Sequence, residues 1–244
     1  MEYPLIGAKH RLPSIVPGPA VAGVPDPPRA AILCYPRWLL REVLESEATS
    51  PYIWPYRGDV HRLGNGIALV GGIGVGAPAA AMLVEELGAQ GVTTFIVMGM
   101  AGALQPDLQP GDVVVADRAL RDEGVSHHYL PEGRFSTPSE RLTARLSGRL
   151  RPARVGATWT TDAPYRETAE EVCRYRAEDI ATVEMEAAAV FAVAQVRGYE
   201  AAAAFVVSDL LTENGWTGHF DAAPLRPNLR RVLASIRELL VEFE

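Results

Sequence analysis

Three acidic side chains stand where apolar strands end, a placement that suits ligand binding or proton transfer. Glu184 and Glu186 lie in the segment TVEMEAAAVFA, between an apolar strand and an alanine-rich helix, and Asp209 follows the run AAAAFVV. Sites of α/β proteins gather at strand ends, where a carboxylate can accept hydrogen bonds from hydroxyls or hold a proton. The alternative roles are structural. Glu184 and Glu186 could be carboxylates at a helix start that the helix dipole favours, and Asp209 could cap a helix or turn after the strand.

A glycine-rich turn precedes a helix in the segment LVGGIGVGAPAAAML. Backbone N–H groups and the helix dipole make such a turn a possible anion site. The spacing of Gly72, Gly74 and Gly76 does not fit the G-x-G-x-x-G pattern of dinucleotide-binding proteins. The next strand ends in Met98 and Gly99 rather than in an acid that could hold a ribose. The turn is therefore either an anion site without a dinucleotide or a tight connection without a ligand.

The composition predicts a soluble globular protein. Of 244 residues, 48% are hydrophobic and 22% charged, which suits one large domain or two small ones. A net charge of −7 argues against nucleic acid and anionic membranes as partners. Residues 1–29 are rich in Pro and Gly, which predicts an extended N-terminal arm. No composition break marks a linker after it, so we expect a single domain over 30–244.

The cysteines and the N-terminus predict a cytoplasmic protein. Cys34 and Cys173 are too few and too far apart for a disulfide framework or a zinc site, and they suit a reducing compartment. The N-terminal segment has neither the apolar region of a signal peptide nor a membrane span.

Apolar runs alternate with helical patterns along the chain, which predicts an α/β fold with a buried, largely central sheet. Predicted strands cover 30–34, 66–72, 93–99, 111–120, 154–162 and 200–209, with a strand passing into a helix over 181–198. Further helices follow 30–34 and 154–162, occupy 78–90 with Pro78 at the first position, and close the chain from 227 to 244.

Four segments resemble, in order, the nucleoside phosphorylase family, which includes uridine phosphorylases, hexameric purine nucleoside phosphorylases and methylthioadenosine nucleosidases. They are GIGVGAPAAAMLVEELGAQGVTTFI, GMAGALQPDLQPGDVVV, TVEMEAAAVFAVAQVRG and VVSDLL, and together they cover about Ile32 to Leu211. The resemblance implies a three-layer α/β/α sandwich with a mixed, barrel-like central sheet of the phosphorylase/hydrolase-like kind. It also implies homo-oligomers, dimers or hexamers, and neither a metal nor an organic cofactor.

The resemblance implies cleavage of the N-glycosidic bond of a nucleoside, with phosphate as the possible co-substrate. Bond breaking develops positive charge on the sugar and negative charge on the leaving base. Glu186 is the candidate ligand of the ribose diol, because one carboxylate accepts two hydrogen bonds. Met185 would pack on the sugar and Glu184 would support the same site. In purine-specific relatives the aspartate at Asp209 serves the purine N7.

The resemblance also implies a wall for the base and a pocket for the nucleophile. Trp159 and Tyr165 fall where relatives place an aromatic wall, although a core role is equally open for Trp159. Uracil-specific relatives carry Gln and Arg after this segment, and here only Arg166 is present, which favours a purine. His10 lies in an arm from which relatives send a histidine to a neighbouring subunit. Loops over 72–77 and 99–102 would frame the nucleophile pocket, in which Gly72, Gly74 and Arg37 would hold the anion. Met100, Ala101 and Gly102 would bind the substrate.

The chain departs from the phosphorylase pattern where phosphate is held. Val97 replaces the arginine of an I-R-x-G motif, and Met100 replaces the following Ser or Thr. The phosphorylases also have an earlier phosphate motif, G-D-P-x-R, and at its position this chain has Cys-Tyr-Pro-Arg-Trp from Cys34. Arg37 is one position away from the place of the motif's arginine. A phosphate dianion needs guanidinium groups or several N–H donors. The sources that the sequence offers are Arg37, Arg41, Arg57 and Arg62.

Three activities stay open at this point. Phosphorolysis is the family default. Hydrolysis is the alternative, although the N-terminal glutamate with which nucleosidases orient water is absent from ILCYPRW. The third is a catalytically weak nucleoside-binding protein, against which the intact acids at Glu184, Glu186 and Asp209 speak.

Overall fold

Strands and helices alternate along the computed structural model, which describes residues 9–16, 26–47, 50–52 and 59–243. The strands are β1 Ala30–Cys34, β2 Ser50–Tyr52, β3 Asp59–Gly64, β4 Ile67–Gly71, β5 Thr94–Ala103, β6 Val113–Asp122, β7 Phe135–Ser136, β8 Arg154–Thr161, β9 Ile180–Glu184, β10 Glu200–Thr212 and β11 Gly215–Gly218. The helices are α1 Arg37–Ser46, α2 Ala77–Ala89, α3 Ser126–Tyr129, α4 Glu140–Arg149, α5 Ala169–Ala177, α6 Ala187–Arg197 and α7 Leu225–Glu242, with 3₁₀ turns at Lys9–Arg11 and Pro164–Arg166.

One mixed sheet runs through the described residues in the order β11-β10-β6-β8-β9-β5-β1-β4-β3-β2, with β7 on β6. Because β10 pairs with both β5 and β6, the strands β5, β9, β8, β6 and β10 close into a ring. The β5–β10 and β5–β1 pairs are parallel, whereas β5–β9 and β6–β10 are antiparallel. The predicted mixed, barrel-like sheet is confirmed.

Side chains of the central strands alternate between two apolar cores. On β5, Phe95 and Val97 pack with α2 and α6, whereas Ile96 and Met98 pack with α1, α4 and α7. Successive strand residues point to opposite faces, so an entirely apolar strand is stable only when both faces are covered. The predicted α/β/α sandwich is confirmed by this arrangement.

The central helix α6 begins directly beyond the acidic segment at the end of β9. Its residues from Ala187 to Ala194 are all buried, and the alanines among them let the helix pack closely against the sheet and α2. It ends at Gly198, whose φ of 72° is the left-handed conformation that glycine adopts without strain. The packing of α6 therefore fixes the position of the segment that precedes it.

The segment 99–102 is a strand rather than the predicted loop. β5 continues to Ala103 because β10 runs parallel to it and pairs with it as far as Leu210. The glycines serve close packing instead of a turn. A Cβ at Gly102 would lie 2.4 Å from Leu211 Cδ1 and 2.7 Å from Asp209 Oδ2. In α2, which begins at Ala77, Pro78 is the second residue rather than the first.

The arm over 1–29 and the single domain over 30–244 stay predictions, since much of the arm lies outside the described residues. His10 lies in the 3₁₀ turn beside α3, and its reach to a neighbouring subunit also stays a prediction. Among the described residues no helix is long and apolar enough to cross a membrane. The same part of the chain contains no group of three side chains suited to binding a metal ion.

Candidate active site

A cavity of about 870 Å³ opens where β5, β9 and β10 end. Its floor comes from the strand ends, one wall from the segment leading into α5, and the other from the β10–β11 hairpin. Its lining includes Met100, Ala101, Gly102, Tyr165, Glu167, Glu184, Met185, Ser208, Asp209, Glu213, Trp216 and Phe220. This volume is in the range of small-molecule sites.

Strand register brings the distant candidate residues together. Gly102 on β5 pairs with Val183 on β9, one residue before Glu184, and also with Asp209 on β10. A bulge at Ser208 shifts the register there, so that Asp209 comes opposite Gly102. Seven predicted site residues consequently line one cavity: Met100, Ala101, Gly102, Tyr165, Glu184, Met185 and Asp209.

Glu184 is fixed by the start of α6. Its Oε2 accepts hydrogen bonds from the backbone N–H of Glu186 at 2.7 Å and of Ala187 at 2.8 Å. Its Oε1 accepts from the hydroxyl of Thr160. The helix-start role that the sequence left open is thus present, and a carboxylate there is favoured by the helix dipole. Glu184 also lines the cavity, so its structural role does not remove it from the site.

Glu186 turns toward the glycine-rich segment instead of the cavity. Its Oε1 accepts a hydrogen bond from the backbone N–H of Gly76 at 2.6 Å, and it is absent from the cavity lining. Gly76 has a φ of 96°, a left-handed conformation suited to glycine. Met185, between the two glutamates, lines the cavity and has its Cε 4.0 Å from the Cβ position of Gly76. The role of Glu186 at a ribose diol stays a prediction.

The two buried glutamates hold protons more tightly than usual. Burial raises the pKa of Glu184 to about 7, although the hydrogen bonds from Thr160 and the backbone act to lower that pKa. Burial first, and then the charge of Glu184, raise the pKa of Glu186 to about 8. Raised carboxyl pKa values of this kind are common where proton transfer occurs.

Tyr35 takes the place of the missing aspartate of the G-D-P-x-R motif. Its hydroxyl is buried and has no hydrogen-bond partner within the described residues. Burial, followed by the charges of Glu186 and Glu184, raises the pKa of the Tyr35 hydroxyl well above its usual value. Tyr35 also packs beside Gly99, one residue before Met100. The Tyr35 hydroxyl thus lies close enough to Glu184 and Glu186 to feel the charge of both carboxyl groups.

Asp209 is held by two donors. The hydroxyl of Ser208 donates to Oδ1 at 2.6 Å, and the indole N–H of Trp216 donates to Oδ2 at 2.8 Å. Trp216 lies on β11, which runs antiparallel to β10. In this strand pair Trp216 is opposite Leu211. Its ring lies 6.1 Å from that of Phe220, and both rings face the cavity. Sequence reasoning missed Trp216 and Phe220, because nothing in their spacing marks the short hairpin that carries them.

Glu167 is a second residue that sequence reasoning missed, although the segment around it was considered. It lies between the 3₁₀ turn Pro164–Arg166 and Thr168, whose side chain caps α5 in a reciprocal pair with Glu171. Its half-buried carboxyl lines the cavity, and its pKa rises to about 7 through burial, then through the charges of Asp209 and Glu171. The capping box TAEE was the available signal, since it places α5 and hence the residue just before it.

Trp159 lies in the core rather than on the cavity wall. It is 1% exposed, packs edge-on against Tyr175 at 4.8 Å, and donates its indole N–H to Asp122 at 2.9 Å. This is the core role that the sequence left open, and Trp159 is absent from the cavity lining. Trp159 lies on β8 and packs with Val172 and Tyr175 of α5, so its ring fills the space between that strand and that helix.

Gly72, Gly74 and Arg37 also lie outside the cavity lining. Arg37 is the exposed first residue of α1. The described cavity walls contain no lysine, arginine or histidine. Val97 is fully buried in the core, and the guanidinium of Arg62 donates to the backbone carbonyl of Asp26. Arg57 lies outside the described residues.

Comparison with known proteins identifies the family. A family model described as the phosphorylase superfamily matches residues 30–243. The chain belongs to this superfamily. The resemblance inferred from the four motifs is therefore confirmed.

Relatives within the superfamily carry several names. A guanosine phosphorylase of Halorubrum lacusprofundi is 37% identical over 149 residues, which are 59% of this chain and 62% of that protein. A uridine phosphorylase of Thermococcus kodakarensis is 28% identical over 183 residues, 66% of this chain and 65% of that protein. A DeoD-type purine nucleoside phosphorylase of Caldanaerobacter subterraneus is 30% identical over 149 residues, 58% and 64% of the two chains. The chain thus spans less than two-thirds of each of these relatives.

Proposed function

We propose that the protein cleaves the N-glycosidic bond of a purine nucleoside and releases the free base. The observation that carries this proposal is the meeting of Glu184, Met185 and Asp209 around Gly102 in one cavity. Membership of the phosphorylase superfamily supports the reaction class. The reaction uses neither a metal nor an organic cofactor.

Each end of the cavity has its own role in this reaction. At the sugar end, Met185 packs on the ribose and Glu184 holds the segment in place. Glu186 lies outside the cavity lining, so its proposed hydrogen bonds with the diol require its carboxylate to turn from Gly76 toward the sugar. At the base end, Asp209 donates a proton to the purine N7, so that the base leaves neutral. Tyr165, fully exposed on the cavity wall, covers the base with Trp216 and Phe220. Met100, Ala101 and Gly102 form the floor.

A purine is preferred over uracil in this proposal. The names of the relatives include guanosine, purine nucleoside and uridine phosphorylases, so they do not decide between bases. Two features of this chain favour a purine. Arg166 is exposed and outside the cavity lining, so the Gln–Arg pair of uracil-specific relatives has no counterpart. Asp209 stands where purine-specific relatives hold N7.

Phosphate is the proposed nucleophile, because the relatives are named phosphorylases. Arg37, Gly72 and Gly74 would hold it, supplied by the glycine-rich turn and the start of α1. We further propose a homo-oligomer, a dimer or a hexamer, that works in the cytoplasm on a nucleoside, without nucleic acid or membrane as partner.

Hydrolysis is the second candidate, and a specific observation favours it. The described cavity walls carry no cation, and Tyr35 and two glutamates of raised pKa stand nearby. A dianion is poorly placed beside such groups, whereas a water molecule can be bound by them. A catalytically weak nucleoside-binding protein is a third possibility.

Base release from a panel of purine and pyrimidine nucleosides, with and without phosphate, tests these proposals by chromatography. Phosphate-dependent release of purine base with a sugar 1-phosphate supports phosphorolysis. Equal release without phosphate, giving free sugar, supports hydrolysis and removes Arg37 from the site. Faster release from uridine than from guanosine or inosine contradicts the purine preference. Binding without release supports the third possibility.

A further inference from the structure

A second, smaller cavity lies beside α7, and we call it the α7 cleft. Its volume is about 300 Å³, and it forms where the turn before β6, the segment before β8 and the first half of α7 meet. Its lining is Gly111, Asp112, Val113, Arg151, Pro152, Asn228 and Arg231, and no described residue lines both this cleft and the candidate active site. The volume is at the lower end of the range of small-molecule sites.

Arg231 is held in position by the other walls of the α7 cleft. Its Nε donates to the side-chain oxygen of Asn228 at 3.2 Å, and its Nη1 donates to the backbone carbonyl of Leu150 at 3.2 Å. Asn228 in turn donates to the backbone carbonyl of Gly111 at 2.8 Å. The Nη2 group of Arg231 makes no hydrogen bond with any described residue. A guanidinium of fixed orientation therefore keeps free donors for a ligand.

Arg151 is the second cation of the α7 cleft. It is exposed, and it forms no hydrogen bond or ion pair with any described residue. All five of its N–H donors are therefore available.

Asp112 brings the opposite charge to the same cleft. Its Oδ2 accepts the backbone N–H of Gln109 at 2.8 Å, which fixes the direction of the carboxylate. Within the described part of the chain it forms no ion pair with Arg151 or Arg231, although all three line one cleft. Opposite charges that share a cleft without pairing leave room for a ligand between them.

We propose that the α7 cleft binds a phosphorylated sugar. Two guanidinium groups supply the charge-assisted hydrogen bonds with which proteins bind a phosphate group. Asp112 has acceptors only, so it repels a bare phosphate ion but accepts hydrogen bonds from the hydroxyl groups of a sugar. A ligand that carries both groups matches both walls, and one sugar ring with its phosphate suits a small cleft. This inference does not depend on the proposed nucleoside cleavage.

The α7 cleft lies close to the strand that carries Asp209. The backbone N–H of Gly111 donates to the carbonyl of Val207 at 2.8 Å, and the N–H of Val207 donates to the carbonyl of Asp112 at 2.9 Å. Val207 is followed by the bulge at Ser208 and then by Asp209. A ligand of this cleft would therefore contact a turn that is hydrogen-bonded to the strand of the proposed proton donor.

Isothermal titration calorimetry of the full chain with ribose 5-phosphate, inorganic phosphate and ribose tests the inference. We expect ribose 5-phosphate to bind with a Kd at least about tenfold lower than that of inorganic phosphate, because only the sugar phosphate satisfies Asp112 as well as the arginines. Ribose, which lacks the charged group, should show no measurable binding at millimolar concentration.

Arg151→Gln tests the phosphate side of the cleft. Arg151 has no partner among the described residues, so the fold should persist, and Kd for ribose 5-phosphate should rise at least about fivefold. Arg41→Gln is the matched control, because Arg41 is an exposed arginine of α1 outside the described lining of both cavities. R41Q should keep the wild-type Kd.

Asp112→Asn tests the sugar side. The amide oxygen can still accept the N–H of Gln109, but the negative charge is gone. We expect inorganic phosphate to bind D112N more tightly than the wild type, so that the preference for ribose 5-phosphate over inorganic phosphate falls at least about threefold.

Three results would overturn the inference. The first is no binding of ribose 5-phosphate to the wild type. The second is binding that R151Q leaves unchanged, which would place the ligand elsewhere, for instance in the candidate active site. The third is equal affinity of the wild type for inorganic phosphate and ribose 5-phosphate, which would show an anion site without recognition of the sugar. Base release enters none of these measurements, so the proposed function is tested separately.

Discussion

The indole N–H of Trp216 donates a 2.8 Å hydrogen bond to Oδ2 of Asp209. The two residues are joined by a hairpin: β10 carries Asp209 past the cavity floor, and β11 returns antiparallel with Trp216 at its second position. The ring is 59% exposed and faces the cavity. The hairpin therefore covers the base end of the cavity and orients the carboxyl group proposed to act there.

Removing this donor while keeping an aromatic ring tests the orienting role. We expect Trp216→Phe to lower kcat for purine nucleosides by roughly two- to tenfold, because a hydrogen bond contributes about 0.5–1.5 kcal/mol net. KM should change less than about twofold, since the Phe ring still covers the base. Steady-state kinetics separate the two constants. Trp38→Phe, outside the cavity lining, is the control. An unchanged kcat with a raised KM would mean that Trp216 only covers the cavity.

Asp209→Asn tests the proposed proton donor itself. The amide keeps the shape of the side chain but cannot deliver an acid proton, so kcat for guanosine or inosine should fall at least tenfold, and about 10² is common for general acids. A 7-methylpurine nucleoside, already positive at N7, needs no proton and should be nearly insensitive. Asp221→Asn makes the same change at an exposed position outside the cavity lining. Equal loss on both substrates contradicts the acid role.

Sequence patterns predicted the buried parts of the fold, because buried strands and helices have a recognisable pattern of apolar residues. The strands at 30–34 and 154–162 agree with the structure to within one residue, and the helix predicted after the first of them is α1. The elements that escaped prediction are short or exposed: β2, β3, β7, β11, α3 and α4. Register and hairpin contacts, rather than apolar periodicity, define the short strands, and such contacts depend on partners distant in the sequence.

Cavity residues that belong to a sequence motif could be predicted. Residues whose position depends on tertiary packing could not. Glu184, Met185 and Asp209 line the cavity as their motifs indicated. Trp159 could face either way by its type, and its indole contact with Asp122 formed only in the folded chain. Glu167 has no motif of its own, because its place on the cavity wall near Asp209 results from tertiary contacts.

Glu186→Gln tests the sugar end of the cavity. A Gln can still accept the hydrogen bond from Gly76, so the local fold should persist, but one oxygen becomes a donor and the diol loses an acceptor. At pH 9, above the raised pKa of about 8 and hence with Glu186 ionised, we expect kcat/KM for ribonucleosides to fall at least about tenfold, in line with the loss of a charge-assisted hydrogen bond. The matching 2′-deoxynucleosides lack the diol and should fall much less. Comparable losses for both sugars would remove Glu186 from the diol.

The buried pair of Glu184 and Glu186 should also make stability depend on pH. Their folded pKa values, about 7 and about 8, lie above the ordinary 4.5 of an unfolded glutamate. Between about pH 4.5 and pH 8 the folded protein therefore binds more protons than the unfolded chain, and its free energy of unfolding falls as pH rises. Tm measured from pH 5 to pH 8.5 should decrease through this window.

The same substitution, Glu186→Gln, should flatten that decrease, because the amide has no proton to lose and relieves Glu184 of a neighbouring charge. At pH 8 the Tm of E186Q should exceed that of the wild type by at least about 3 °C, which corresponds to about 1 kcal/mol in a chain of this size. At pH 5, where both glutamates are protonated, the two proteins should differ little. E170Q, which removes an exposed carboxyl, should keep the wild-type slope. A wild-type Tm that rises from pH 5 to pH 8 would show that the pair is ionised in the folded protein.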